Sequence, residues 1–253
     1  MLGVRAWANS VGGVVVAACV LFAAAADAQP ASGPLKFESH PTDTTYRTLM
    51  QGSGFWVDDT GDLVTARHVV EGCSQVVISG QGLSQTAKVV ALSGTDDVAL
   101  IHAPHTSTLA VVFSADATDD AGLPVLAASF EALKTLKSSG IFSNGMVQAQ
   151  DVAGGTLQLT LQAEQGASGA PVLDRRGLMQ GMLIRKTQAQ YAMLGSVPMG
   201  GTGYVQAVSR DRIGTFLRAQ GVTFGTSDQS QLSPSQNLAA RAASLTQGVF
   251  CWK

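Results

Sequence analysis

Gly52-Ser53-Gly54-Phe55-Trp56-Val57, then Asp58-Asp59-Thr60-Gly61-Asp62, then Leu63-Val64-Thr65 reads as a strand, a turn and a second strand. Two apolar, β-prone runs separated by Asp and Gly are a hairpin signal. The same texture continues at Val76–Ser79, Ala87–Leu92, Val98–His102, Ala110–Phe113, Pro124–Ala128, Gly140–Ser143, Met146–Gln150, Thr156–Gln162, Pro171–Leu173 and Leu178–Ile184. Thr156 to Leu161 alternates strictly, as a half-buried strand should. Short strands with Gly-rich turns, and no long helix among them, argue for an all-β barrel or sandwich. The best helix comes late. Ser209 caps residues 210–220, Asp211 sits in the first turn, Gly221 follows as the stop, and Ile213, Phe216 and Leu217 share one face. Beyond it, residues 222–253 read as a tail, with a polar linker (Thr223–Pro234) and a short Ala-rich helix (Ser235–Leu245).

At the other end, residues 1–28 read as an export signal. Arg5 supplies the positive n-region, Val11 to Ala26 is apolar, and Ala26-Asp27-Ala28 offers a cleavage site before Gln29. Two other readings stay open: a lipoprotein box ending at Cys19, and an uncleaved anchor. Residues 29–45 form a Pro/Ser/Thr-rich leader segment, and the folded domain is expected over 46–221. No other apolar run reaches the ~20 residues that span a bilayer, so the mature chain is expected to be secreted or periplasmic with no membrane contact. Charged residues are 13% of the chain and the net charge is −2, which gives no support to nucleic-acid binding. After cleavage two cysteines remain, Cys73 and Cys251. In an oxidising compartment an even pair invites one bridge, which would close a loop of roughly 180 residues. Two separate buried thiols are the alternative.

Three stretches carry chemistry: Thr65-Ala66-Arg67-His68-Val69-Val70, Asp97-Val98-Ala99-Leu100-Ile101 and Gly166-Ala167-Ser168-Gly169-Ala170-Pro171. A serine hydroxyl is a weak nucleophile and needs a base that takes its proton as it attacks. Imidazole has a suitable pKa, and a carboxylate on its other nitrogen fixes the tautomer. The attack puts negative charge on a carbonyl oxygen, which backbone N–H groups must receive. Gly166 and Ser168 are the candidate donors.

Together these motifs resemble those of chymotrypsin-fold (trypsin-like) serine proteases, and their texture is similar to the bacterial HtrA/Deg-type protease domain without its PDZ module. The resemblance covers roughly residues 50–220 and includes Gly52-Ser53-Gly54-Phe55, Ser138 to Ser143, and Gly177 and Gly181 after the serine. It implies two perpendicular six-stranded β-barrels, divided near residues 115–135, with a C-terminal α-helix at 209–220. Ser168 would be the nucleophile, His68 the base, Asp97 its orienter, and Gly166 and Ser168 the oxyanion hole. By family alignment the side-chain pocket has its base near Gln162 and a wall from Met182, Leu183 and Ile184. No carboxylate matches that base, so a small or medium apolar side chain is expected, while Glu164 keeps an Arg/Lys preference open. No cofactor or metal is implied, and the partners are polypeptide substrates. Ala167 stands where animal digestive proteases carry an aspartate, so activation by a newly cut N-terminus is not expected. Ala170 replaces the second glycine of Ser-Gly-Gly. Ala127 to Glu131 lacks the Gly/Pro-rich turn common in HtrA-type domains.

Other residues read more blandly. Asp96 is expected to be a solvated turn residue. His102 and His105 lack a third ligand and read as surface residues. Trp56 and Trp252 read as packing. Two functions remain: an exported serine endopeptidase, or a catalytically silent binding protein that keeps this fold.

Overall fold

The computed structural model describes residues 49–104, 109–116, 121–135, 142–150, 155–161, 163, 166–186, 192–194, 197–199 and 205–253. The export signal, the whole leader, His105, Gln162 and Glu164 lie outside them. The chain is all-β, with two closed six-stranded barrels and few helices.

The first barrel begins with β1 (Leu49–Trp56) and β2 (Asp62–Thr65), the hairpin expected from the sequence. Its turn is held by Asp58, whose Oδ1 accepts the amides of Thr60, Gly61 and Asp62 at 3.0–3.1 Å. After α1 (Arg67–Val70) come β3 (Gln75–Gly80), β4 (Leu83–Leu92) and β5 (Ala99–His102). Within β3, Val76 and Ile78 are buried on alternate positions, as a strand with one core face requires. Chain order supplies only five strands here. The sixth is the C-terminal strand, Thr246–Trp252, which lies between β1 and β3.

The second barrel follows β6 (Val112–Ser114). It uses β7 (Pro124–Ala128), β8 (Phe142–Gln150), β9 (Thr156–Leu159), β10 (Pro171–Asp174), β11 (Met179–Lys186) and β14 (Val205–Ser209), with α2 (Phe130–Thr135) after β7 and the small hairpin β12 (Ala192–Leu194) and β13 (Val197–Met199) before β14. The ring runs β10-β7-β8-β9-β14-β11 and closes through β10–β11 pairing. In β9, Leu157 and Leu159 are buried while Gln158 is exposed, matching the strict alternation of its sequence. The helix α3 (Arg210–Ala219) has the expected Ser209 cap on the Arg212 amide and buries Ile213 and Leu217. Then come β15 (Gly225–Ser227), α4 (Leu238–Leu245) capped by Asn237, and β16 (Thr246–Trp252).

Residues 222–253 are therefore not a tail beyond the domain. β16 pairs antiparallel with β1 from Leu49↔Trp252 to Phe55↔Thr246, and with β3 from Trp252↔Gln75 to Gly248↔Ser79. Val249 and Cys251 are fully buried. The physical reason is closure: without a strand at this place, β1 and β3 would each present an unpaired edge. Cys251 is also bonded to Cys73, with 5.5 Å between the Cα atoms.

Two outcomes are expected. A chain stopped at Leu245 should lose the cooperative unfolding transition followed by circular dichroism; a full-length melting temperature would contradict this. Replacing Cys73 and Cys251 together by Ser should lower stability by about 2–5 kcal/mol, read from urea unfolding, and an unchanged midpoint would contradict it.

Candidate active site

His68 sits in the single turn of α1 directly after β2. Buried Val69 and Val70 fasten that turn to the first core, and the Arg67 guanidinium donates to Ser93 O at 2.7 Å. The same 93–98 loop carries Asp97. Ser93 Oγ accepts the amides of Thr95 and Asp96, and buried Val98 leads into β5. The two residues meet twice: Asp97 Oδ2 lies 2.6 Å from His68 Nδ1, and Asp97 Oδ1 accepts the His68 backbone amide at 2.9 Å. Both side chains stay partly open, 43% for His68 and 29% for Asp97. Asp96 is not solvated as expected. Its carboxylate accepts Arg212 Nε at 3.2 Å and ties this loop to α3.

Ser168 lies in the turn before β10. The Ala170 amide donates to Ala167 O, and the Gly169 amide donates to Leu183 O at 2.7 Å. Gly169 has φ +92°, and a Cβ there would stand 1.8 Å from Ser53 O. Only glycine allows that approach. From the first barrel, the Ser53 amide donates to Ser168 O at 2.7 Å. A Cβ on Gly52 would meet both the Val69 side chain and Ser168 O within 3 Å. The turn that carries His68 and the turn that carries Ser168 thus abut across β1. The Ser168 hydroxyl donates to Ile184 O at 2.9 Å, so in this rotamer its proton is not directed at His68.

Gly166 has φ +83°, and its carbonyl accepts the Ser53 hydroxyl at 2.8 Å. Among the described residues, the amides of Gly166 and Ser168 have no protein acceptor. Of the residues expected in the pocket wall, two are placed by their packing. Met182 and Leu183 are buried in opposite cores because successive side chains of β11 point to opposite faces. What β11 offers Ser168 is backbone, the carbonyl of Ile184. Among the described residues no cluster of His, Cys, Asp or Glu is arranged to hold a metal. His102 Nδ1 instead contacts Asp62 Oδ1 at 2.9 Å on the surface. Trp56 is buried in the first core, and the Trp252 ring lies 6.4 Å from that of Phe250.

Ser53 and Arg67 stand inside the Gly-Ser-Gly-Phe and Thr-Ala-Arg-His stretches, and Arg212 in the first turn of α3, yet none of the three carries a sequence signal for its contacts. Ser53 reaches Gly166 and Phe130, Arg67 reaches Ser93 O besides its helical neighbour Glu71, and Arg212 reaches Asp96, and no local pattern marks these long-range contacts. The stretch from Ala127 that lacks a Gly/Pro-rich turn finishes β7 and enters α2, where Ser129 Oγ accepts the Ala132 amide at 3.2 Å.

Burial pushes the Asp97 carboxyl up. The hydrogen bonds from His68 Nδ1 and from the His68 amide, the charge attraction of His68 and the Arg67 amide outweigh it, holding the group below the ordinary carboxylate value. A depressed folded pKa means that this stabilisation is present above the unfolded value near 4 and is lost as pH falls through the lower folded value. The difference in melting temperature between wild type and Asp97→Asn should persist down to about pH 5 and shrink only below about pH 4. A difference already gone at about pH 6 would contradict this assignment.

A family model described as a trypsin-like peptidase domain matches residues 52–182, more than half of the chain. The uncharacterized protein y4bJ of Sinorhizobium fredii is 28% identical over 206 residues, 79% of this chain and 32% of that protein. A probable periplasmic serine endoprotease, DegP-like, of Brucella suis is 29% identical over 145 residues, 54% of this chain and 28% of that protein. The chain spans about a third or less of the length of these curated relatives. Among solved structures, the serine endoprotease of Yersinia pestis superposes with a TM-score of 0.52 at 20% identity, covering 67% of this chain and 56% of that one. The fold and the matched residues together show that this chain belongs to the trypsin-like peptidase family.

Proposed function

We propose that this domain is an exported serine endopeptidase that cleaves polypeptides through an acyl-enzyme intermediate. The observation that carries the reading is the double contact of Asp97 with His68. With Nδ1 held by the carboxylate, Nε2 is the ring's free basic nitrogen. The carboxylate fixes that tautomer and stabilises the imidazolium that forms on proton transfer.

In the reaction, the Ser168 side chain rotates about χ1 from Ile184 O toward His68, a change between staggered rotamers. It exchanges one hydrogen bond for another, so the net cost stays below about 1 kcal/mol. Ser168 Oγ attacks the scissile carbonyl while His68 Nε2 takes its proton. The amides of Gly166 and Ser168 receive the oxyanion. His68 then protonates the leaving amine, and water repeats the sequence on the acyl-enzyme. An extended substrate segment would add alongside β11 beyond Leu183, whose amide and carbonyl are taken by Ala170 O and the Gly169 amide. Export rests on the n-region, apolar run and cleavage site of residues 1–28, on the Cys73–Cys251 bridge, which suits an oxidising compartment, and on the periplasmic name of the Brucella relative.

A second reading, a silent binding protein, draws on the Ser168 hydroxyl being engaged by Ile184 O. A fluorophosphonate probe separates the two. The enzyme should be labelled at Ser168, and Ser168→Ala should not be. Turnover should fall on the order of 10⁴-fold or more in Ser168→Ala and in His68→Ala, with melting temperatures close to wild type. Well-folded wild type that resists the probe would favour the binder.

A further inference from the structure

Ser53 is fully buried, and every hydrogen-bonding group it owns is used. Its amide donates to Ser168 O at 2.7 Å, and its carbonyl accepts Thr65 Oγ1 at 2.7 Å. Its hydroxyl donates to Gly166 O at 2.8 Å and accepts the Phe130 amide at 3.0 Å. One residue of β1 therefore grips the carbonyls of both Gly166 and Ser168, the two residues whose amides are the candidate oxyanion donors.

We infer that Ser53 is a positioning residue for the oxyanion turn, its hydroxyl locking Gly166 to the start of α2. This rests on the hydrolase reading above. Glycine populates φ of either sign with little preference, so the orientation of a glycine peptide has to be imposed from outside. The clamp on the Gly166 carbonyl fixes the Gly166–Ala167 peptide plane, and the Gly166 amide is joined to that plane across the glycine's own two torsions, with φ at +83°. The clamp is itself anchored. The Phe130 ring lies where a Cβ on Gly248 of β16 would stand, and packs edge-on to Phe250 at 5.9 Å. Beside it, Gln51 Nε2 donates to Glu131 Oε2 in the first turn of α2. The first barrel thus holds the second barrel's turn through a hydroxyl whose partner is pinned by the C-terminal strand.

Donors aimed at a developing oxyanion act more strongly in the transition state than in the ground state. Loosening the turn should therefore lower kcat with KM nearly unchanged. In the full-length protein, Ser53→Ala should reduce kcat by about 10–100-fold with KM within about threefold. The assay uses a fluorogenic peptide from library profiling, and rates are divided by active sites titrated to completion with a fluorophosphonate. Affinity for the matching peptide aldehyde, which places an oxyanion in the hole, should fall in parallel, while the pH profile set by His68 and Asp97 stays in place. Ser53→Thr keeps the hydroxyl and should stay within about fivefold of wild type. A purely structural role would lower the titrated fraction and leave kcat per site intact.

A Ser53→Ala enzyme within about twofold of wild type per site, or a loss that Ser53→Thr shares in full, overturns the assignment. If Ser168→Ala turns over substrate as well as wild type, the hydrolase reading falls and takes this inference with it. A dead Ser168→Ala beside a fully active Ser53→Ala removes the Ser53 assignment alone.

Discussion

The backbone of Ser53 and the turn from Gly166 to Gly169 press together so closely that neither side has room for another atom. The Ser53 amide meets Ser168 O, and Ser53 O occupies the space of any Cβ at position 169. This seam brings turns of the two barrels against each other. His68 is fastened to the first barrel by Val69 and Val70, and Asp97 by Val98 and Ala99, while Ser168 belongs to the second. Packed interiors transmit small displacements rather than absorb them, so a shift at the seam would pass directly to the spacing between His68 and Ser168.

The seam needs a first barrel that is itself closed. β16 completes that ring between β1 and β3, and the Cys73–Cys251 bridge holds it five residues beyond His68 in the chain. The Ser74 amide and hydroxyl both donate to Trp252 O at 2.8 Å, so the same junction is also sealed by hydrogen bonds. One end of the chain thus supports the helix that carries His68, while Phe130 on Gly248 links it, through Ser53, to the turn at Gly166. On the far side, a partly buried polar network does comparable work. Arg176 bridges Asp116 and Asp174, Gln180 donates to Asp174, and Arg210 donates to Gln180 and to Asp116 O. It binds the connection after β6, the β10–β11 turn and the start of α3. A buried network is stabilising when its members are satisfied.

Much of this was legible in the primary structure, for reasons that are local. Period-two alternation marks β9, Asp and Gly mark the β1–β2 turn, and Ser209 with Gly221 brackets α3. Each signal reports a preference of neighbouring residues for one backbone geometry or one buried face. The trio His68, Asp97 and Ser168 was visible because each sits in a distinctive short motif. The sequence alone determined the all-β class, those three candidates, and the cysteines available to pair. Only the tertiary structure decided that residues 246–252 belong to the first barrel, that Asp96 is held by Arg212, that Met182 and Leu183 pack into opposite cores, and that Ser53 clamps Gly166. Every one of these depends on a partner dozens to nearly two hundred positions away. Pairing energy of that kind is a property of chain closure and packing, and it leaves no mark on the residues next door.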